Sequence, residues 1–335
     1  MRRHSMVKMK DVADRAGVSV MTVSLVLRGS ASRSRISQET CQRVLDAAKE
    51  LRYLPNARGR ALRSGYTNII GLYAGHGFVN VRLPFFTEIV SGLQEGCEQV
   101  KKDLLLHGIF HGHTPEDIFT ELADGRIDGL VVNMPPDDPL AQWLADSRFP
   151  VIAIADALPD IPSVVVDDAA GSRLLAEHLQ SRGYRRGIYL SSEVRPVSTI
   201  RRRDAFLKRA SDLGMAVEEI GAASGQRLDD GYLHALLAQA PRREPTAIVC
   251  WNDTSAYEML AYCRLNGIRV PEDIAIVGFD GCSTPHDSVW ALTTVRAPWA
   301  EAARTAVLYL DTLLKGKSVP PETVLPVELI RGQTA

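Results

Sequence analysis

Disulfide and zinc chemistry have little to work with in this chain of 335 residues. Its five cysteines, Cys41, Cys97, Cys250, Cys263 and Cys282, are odd in number, widely spaced and without a CxxC pair. That argues against a disulfide framework or a zinc ribbon and favours a reducing compartment. No run of about 18 apolar residues occurs, so no membrane span is expected. The opening MRRHSMVKMK is basic but leads into DVADRAG instead of an apolar signal core, which makes the cytoplasm the expected location. Catalytic signatures are missing too: there is no GxSxG elbow, no GxxxxGKS/T loop and no GxGxxG after the first strand, GLYAGHG being none of these. No enzyme activity and no cofactor are expected, although an α/β architecture alone does not decide that question.

What is present is a charge asymmetry hidden under a net charge of −1. Residues 1 to 65 hold 14 Lys and Arg against 5 Asp and Glu, and the remainder holds 25 against 35. A small basic module for a polyanion, followed by a larger unit with another task, fits this division. In the basic module MKDVADRAG places Val12, Ala13 and Ala16 on one helix face before Gly17, and Ser19 is a candidate N-cap for a second helix through Leu27. Ser37 is a candidate cap for a third, with Thr40 where a full capping box would have Glu or Gln. Val44, Leu45, Ala48 and Leu51 have the spacing to pack on Val23, Val26 and Leu27. The second helix then turns Val20, Met21, Thr22, Ser24 and Leu25 outward. Its N-terminal residues suit a major groove, with hydroxyls for phosphates and apolar tips for thymine methyls. Spacing alone fits an ordinary surface helix equally well.

The stretch KMKDVADRAGVSVMTVSLVLRG, followed by ISQETCQRVLDAAKELRYLPNARGRALRSG, resembles the DNA-binding headpiece of the LacI/GalR family of bacterial transcription regulators. The resemblance makes Val20 and Met21 the principal base-reading positions, with Leu25 a third where many members carry Arg, and Thr22 and Ser24 the phosphate contacts. It makes Leu62 the leucine that wedges into the minor groove, with Arg60 beside it in a hinge helix that orders when two subunits share an operator. A third departure, beside Leu25 and the Gly59 that stands in the hinge where Ala is usual, is the loop GSASRSRIS, about three residues longer than is common. Its Arg33 and Arg35 are read as extra phosphate clamps, beside the alternative of a solvated loop.

From about Thr67 the texture changes to short β-branched runs, NIIGLYAG, KDLLLHGIF, DGLVVNM, PVIAIAD, SVVVDD, RRGIYLSS, TAIVCWND and DIAIVGFD, alternating with helical patterns. This is α/β with parallel sheets, and its strand count exceeds one comfortable sheet, so two lobes with a ligand cleft at the strand ends are expected. The resemblance agrees and implies a periplasmic-binding-protein-like effector domain whose chain crosses between lobes three times. The expected organisation is a helix-turn-helix headpiece over 1–54, a hinge helix and linker over 55–66, and an effector and dimerisation domain over 67–335. Lobe 1 takes about 67–166 and 297–325, and lobe 2 about 167–296 and 326–335.

Strand ends supply the candidate effector residues. Phe85 and Phe86 open a helix after the first strand, Asp156 ends PVIAIAD, Asn252 ends TAIVCWND and Asp280 ends VGFD. Such amides, carboxylates and rings suit a sugar or nucleoside-like ligand. Asp253 is better read as a helix cap, and the pair Asp167, Asp168 as a brace at the lobe crossover. By the family's R-x-x-G-F element Arg202 reaches the ligand, and Trp299 lends a ring. Arg201 to Arg203 open a helix against its dipole, which hints at anionic surroundings or an anionic ligand group. Gln226 and Ala297 depart from common members, so the effector's identity does not carry over. His107, His111 and His113 lack the supporting ligand spacing of a metal site, and none is expected. The reading is a homodimeric repressor of a near-palindromic operator, dimerising through residues 84 to 100 and relieved by a small-molecule inducer. The alternative is a sugar-binding or sugar-acting protein with a basic appendage.

Overall fold

The computed structural model describes residues 7–27, 36–54, 57–75, 79–108, 110–192, 196–222, 246–282 and 291–335. Its backbone divides into two compact units, Met1–Thr67 and Asn68–Ala335.

In the first unit, α1 (Met9–Ala16), α2 (Val20–Leu27) and α3 (Gln38–Glu50) enclose a core of Val12, Ala13, Ala16, Val23, Val26, Cys41, Val44, Ala47 and Ala48. Local chemistry fixes the ends. The backbone N–H of Lys8 donates to Asp11 Oδ2 at 2.7 Å. Gly17 stops α1 in the left-handed region at φ 65°, open to glycine at no steric cost. Ser19 Oγ accepts the Thr22 N–H at 3.1 Å and Ser37 Oγ accepts that of Thr40 at 3.3 Å, so both serines act as caps. Residues Ala57–Ser64 form α4. Gly59 falls in the first described turn of this helix.

The second unit carries two six-stranded sheets. The first contains β1 (Ile69–Ala74), β2 (Asp103–Leu106), β3 (Gly129–Asn133), β4 (Val151–Ile154), β5 (Ser163–Val166) and β11 (Glu322–Leu325), in the order β11-β5-β4-β3-β1-β2. The second contains β6 (Arg186–Ser192), β7 (Ala216–Ala222), β8 (Thr246–Cys250), β9 (Ala275–Asp280), β10 (Thr293–Arg296) and β12 (Glu328–Ile330), in the order β12-β10-β9-β8-β6-β7. All ladders are parallel save β10 with β12. Strands β3, β4, β5, β8 and β9 are buried along their whole length, which is why they read as unbroken apolar runs. Each sheet reverses strand order once, between β1 and β3 and between β6 and β8, and ligands favour the carboxyl ends of strands at such points.

The chain passes between the sheets after β5, after β10 and after β11. Helices α6 (Pro115–Leu122) and α7 (Pro139–Asp146) pack on each other, as do α5 (Pro84–Val100) and α11 (Trp299–Leu314) beside the first sheet. A Cβ on Gly92 would stand 2.0 Å from the Ala300 carbonyl oxygen, and one on Gly96 2.7 Å from Val307 Cβ. The two glycines therefore set the helix separation. On the second sheet α8 (Asp168–Ser181) packs against α9 (Val197–Asp212), and α10 (Asp253–Leu265) lies on β8 and β9.

Candidate functional site

The reading face of α2 is apolar and open. Met21 is 74% exposed and Val20 45%, while Thr22, Ser24 and Leu25 are half-buried. The Thr22 hydroxyl lies 2.9 Å from Ser19 Oγ, so both hydroxyls gather at the helix start, where N–H groups and dipole favour an anion. Leu62 on α4 is 88% exposed. Arg33 and Arg35 lie outside the described residues, as does the side chain of Arg60.

The second site is built where the carboxyl ends of the two sheets meet. Asp156, two residues beyond β4, is buried and accepts the backbone N–H of Ser198 in the first turn of α9 at 2.8 Å. One turn further, Arg202 Nε donates to Asp168 Oδ1 at 2.8 Å, and its Nη1 donates to Asp280 Oδ1 and to the Trp251 carbonyl, both at 3.1 Å. The guanidinium lies 3.8 Å from the centre of the Phe279 ring, a cation–π arrangement. Trp299 Nε1 donates to Asp280 Oδ1 at 3.3 Å. A recess lined by Tyr189, Thr199, Arg203, Glu219 and Trp251 adjoins this network at the ends of β6, β7 and β8.

Asp280 has φ 115° and is followed by Gly281 at φ 62°. A residue other than glycine in that region stores strain and persists only when its surroundings hold it. Asp253 does the holding: its Oδ2 accepts the Gly281 N–H at 2.8 Å and its Oδ1 the Thr294 hydroxyl. A Cβ on Gly281 would stand 2.4 Å from Arg296 Cα, so the turn is pressed against the crossover after β10.

Burial pushes the Asp168 carboxyl up to about 6 against the downward pull of Arg202. It also raises Asp280, and with Asp280's charge it lifts Asp253 well above the usual range. For Arg202 burial works against the charge, but Asp280 and Asp168 outweigh it and the guanidinium holds its proton more firmly than usual.

The structure brings Asp156, Arg202, Asp280 and the indole N–H of Trp299 together and gives other candidates local structural contacts. Asn252 is the helix cap that Asp253 was expected to be, its Oδ1 accepting the Ser255 N–H at 2.9 Å. Trp299, expected to lend a ring, is 1% exposed and packs edge-to-face on Phe85 at 5.0 Å, with Phe86 5.1 Å beyond Phe85. Its ring is therefore floor beneath Phe85. Asp167 caps α8 through the Ala170 N–H at 2.8 Å. Asp168, read as part of a hinge brace, belongs to the Arg202 network, a partnership 34 residues apart along the chain with no local signal. Arg203 pairs with Asp204 and Glu219, and Arg201 with Glu322, so the anionic surroundings of the arginine run are protein carboxylates. His107 stacks on Phe110 at 4.4 Å and its Nε2 lies 3.3 Å from Arg126 Nη2. Among the described residues no group of three His, Cys, Asp or Glu converges as a metal site. Burial raises the thiols of Cys97, Cys250, Cys263 and Cys282, which leaves them poor nucleophiles.

A helix-turn-helix unit joined to a two-sheet domain with a polar network at its strand ends defines a ligand-responsive DNA-binding regulator. Comparison with known proteins makes this specific. Residues 8–56 match the family of bacterial regulatory proteins, lacI family, and residues 176–335 match the periplasmic binding protein-like domain. The chain is 30% identical over 331 residues to the HTH-type transcriptional repressor PurR of Vibrio cholerae serotype O1, covering 93% of each. It superimposes on the lac repressor dimer bound to operator and the anti-inducer ONPF with a TM-score of 0.83, 26% identity and coverage of 98% of this chain and 99% of that one. The transcriptional regulator CelR–cellobiose complex gives 0.69, at 25% identity and coverage of 98% and 100%. The chain belongs to the LacI family of transcription regulators. Among the described residues no helix is long and apolar enough to cross a membrane.

Proposed function

We propose that the protein is a cytoplasmic repressor that binds a near-palindromic operator as a homodimer and is controlled by a small molecule held between its sheets. The working units are the headpiece 1–54, the hinge 55–66 and the effector domain 67–335, with α5 in the dimer contact. Val20, Met21 and Leu25 read bases, Thr22, Ser24, Arg33 and Arg35 engage phosphates, and Leu62 with Arg60 enters the minor groove. Unstacking there costs a few kcal/mol per step, offset by contacts that the bent DNA permits.

In the effector domain Arg202 and Asp280 contact the ligand, with Asp156, Asn252, Phe85 and Phe86 around them and Trp299 beneath. One observation carries the reading: a buried arginine network joins elements of the second sheet at the strand ends, and Asp156 of the first sheet closes on the same helix at Ser198. A ligand that competes for these bonds changes how the sheets meet. Because linkage is reciprocal, an inducer that weakens operator binding binds the DNA complex less well.

The test uses operators selected from randomised duplexes with the full-length protein. Affinity is expected to fall by about 0.9 log unit per log unit of salt for each phosphate neutralised. It is also expected to respond to at least one member of a sugar and nucleoside panel, with Arg202→Ala removing the response. Binding blind to every panel member, or turnover of one, overturns the reading.

A further inference from the structure

Within the Arg202 network one atom is left over. Asp168 is 2% exposed and its Oδ1 bonds Arg202, while its Oδ2 is buried with no hydrogen-bond partner among the described residues. A buried polar group without a partner costs about 1–3 kcal/mol, and more when charged, so native proteins keep such groups for a reason.

The surroundings say what kind of partner fits. The Arg202 guanidinium is committed to Asp168, Asp280 and the Trp251 carbonyl, one positive charge facing the two carboxylates of Asp168 and Asp280. Arg203 is drawn away to Asp204 and Glu219, and Arg201 to Glu322. Tyr189, on β6, is buried beside the network, with Arg202, Arg203 and Asp168 acting on its hydroxyl. An anionic group entering here meets surplus negative charge in a dry setting. A positively charged donor relieves that surplus and satisfies the orphan oxygen, and charge-assisted bonds of this kind are about twice as strong as neutral ones.

Resting on the effector site proposed above, we infer that the effector carries an amine, which donates to Asp168 Oδ2 when the contact of Asp156 with Ser198 parts to admit it. On the same ground a sugar phosphate or sugar acid binds less well than its neutral parent. Asp168 is thereby the residue that sets the charge class of the ligand, and Arg202 with Asp280 sets its seat.

A proton on Asp168 is the other source of positive charge at this oxygen, so the experiment separates the two. Full-length protein is titrated calorimetrically at pH 7.5 and pH 5.5 with D-glucosamine and D-galactosamine, with D-glucose and D-galactose, and with D-glucuronate and D-galacturonate. At pH 7.5 an amino sugar is expected to bind about 10-fold or more tighter than its neutral parent, with the acid weaker than both. The amine preference shrinks at pH 5.5, where the proton competes. Asp168→Asn, which supplies its own N–H and removes the charge, is expected to bring amine and parent to within about 2-fold at both pH values. Asp168→Glu, which keeps the charge, retains part of the preference. Acids binding best, amine and parent binding alike, or an amine preference that survives in Asp168→Asn overturns the assignment, and so does a panel in which nothing binds. The operator response of Arg202→Ala decides separately whether the site is an effector site.

Discussion

Asp156 of the first lobe accepts the backbone N–H of Ser198 from the second lobe at 2.8 Å, with the carboxylate set against the N-terminus of α9, where the helix dipole favours negative charge. This is a latch across the cleft. Asp156→Ala leaves the Ser198 N–H without this acceptor and is expected to cost about 1–3 kcal/mol in denaturant unfolding. Small-angle scattering of the free variant should show a larger radius of gyration than wild type. Asp156→Asn keeps an acceptor without the charge and should fall between. An unchanged radius in the alanine variant removes the latch from the account.

The pH dependence of stability follows from Asp168, whose carboxyl burial pushes up to about 6, above the ordinary 3.8 of an aspartate. The folded state binds this proton more tightly than the unfolded state, so the contribution is complete below about pH 4 and is lost as pH rises through 6. Between pH 5 and pH 7 urea unfolding of the wild type should lose about 1–1.5 kcal/mol from this group. Burial also raises Asp280, and burial with Asp280's charge raises Asp253, so both act with the same sign, and the difference between wild type and Asp168→Asn isolates the Asp168 share. Parallel profiles for the two proteins contradict it.

The strands and lobes were legible because fully buried parallel strands have to be continuous apolar runs, and DGLVVN, PVIAIA and AIVGFD are that. The caps Ser19 and Ser37 were legible because a hydroxyl at a helix start acts on its own backbone. Partner choice was not. Asn252 and Asp253 are both good caps, and register alone gives the cap to Asn252 while turning Asp253 toward Thr294 and Gly281. Trp299 stands just past a crossover where a ring can face cleft or core, and Phe85, from a helix more than two hundred residues earlier, decides for core. Asp168 and Arg202 belong to different helices on one sheet, a relation no spacing encodes.

In sequence, Gly92 and Gly96 of GLQEGCEQV look like weak points of a helix. In the fold a Cβ at Gly92 meets the Ala300 carbonyl oxygen at 2.0 Å, and a backbone atom cannot rotate away. Gly92→Ala is expected to force α5 and α11 apart and cost about 3 kcal/mol. At exposed Lys208 on α9, an alanine substitution should change stability by no more than about 0.5 kcal/mol. Equal melting temperatures for the two variants refute close packing as the reason for the glycine.

Leu62 is 88% exposed on α4, so Leu62→Ala removes almost no buried surface. Its melting temperature should match wild type within about 1 °C. Operator affinity should nonetheless fall about 10-fold or more, because the wedge that holds the DNA bent is gone. DNA bending, read by energy transfer between labelled operator ends, should diminish in parallel. Full affinity in the variant dismisses the wedge.

The tip of α2 separates affinity from reading. Its exposed Val20 and Met21 carry no charge, while the unit around them holds a net positive charge. Salt dependence therefore belongs to the surrounding lysines and arginines, and sequence preference to methyl contacts and DNA shape. Met21→Gln tests this division, since glutamine pairs in bidentate fashion with adenine and discriminates by about 1–3 kcal/mol. Selection from randomised duplexes should return a changed consensus at one position in each half-site, with adenine enriched there. The slope of log affinity against log salt should stay as in wild type, because no phosphate contact is lost. A shifted slope with an unchanged consensus makes Met21 a backbone contact and moves base reading to Val20 and Leu25.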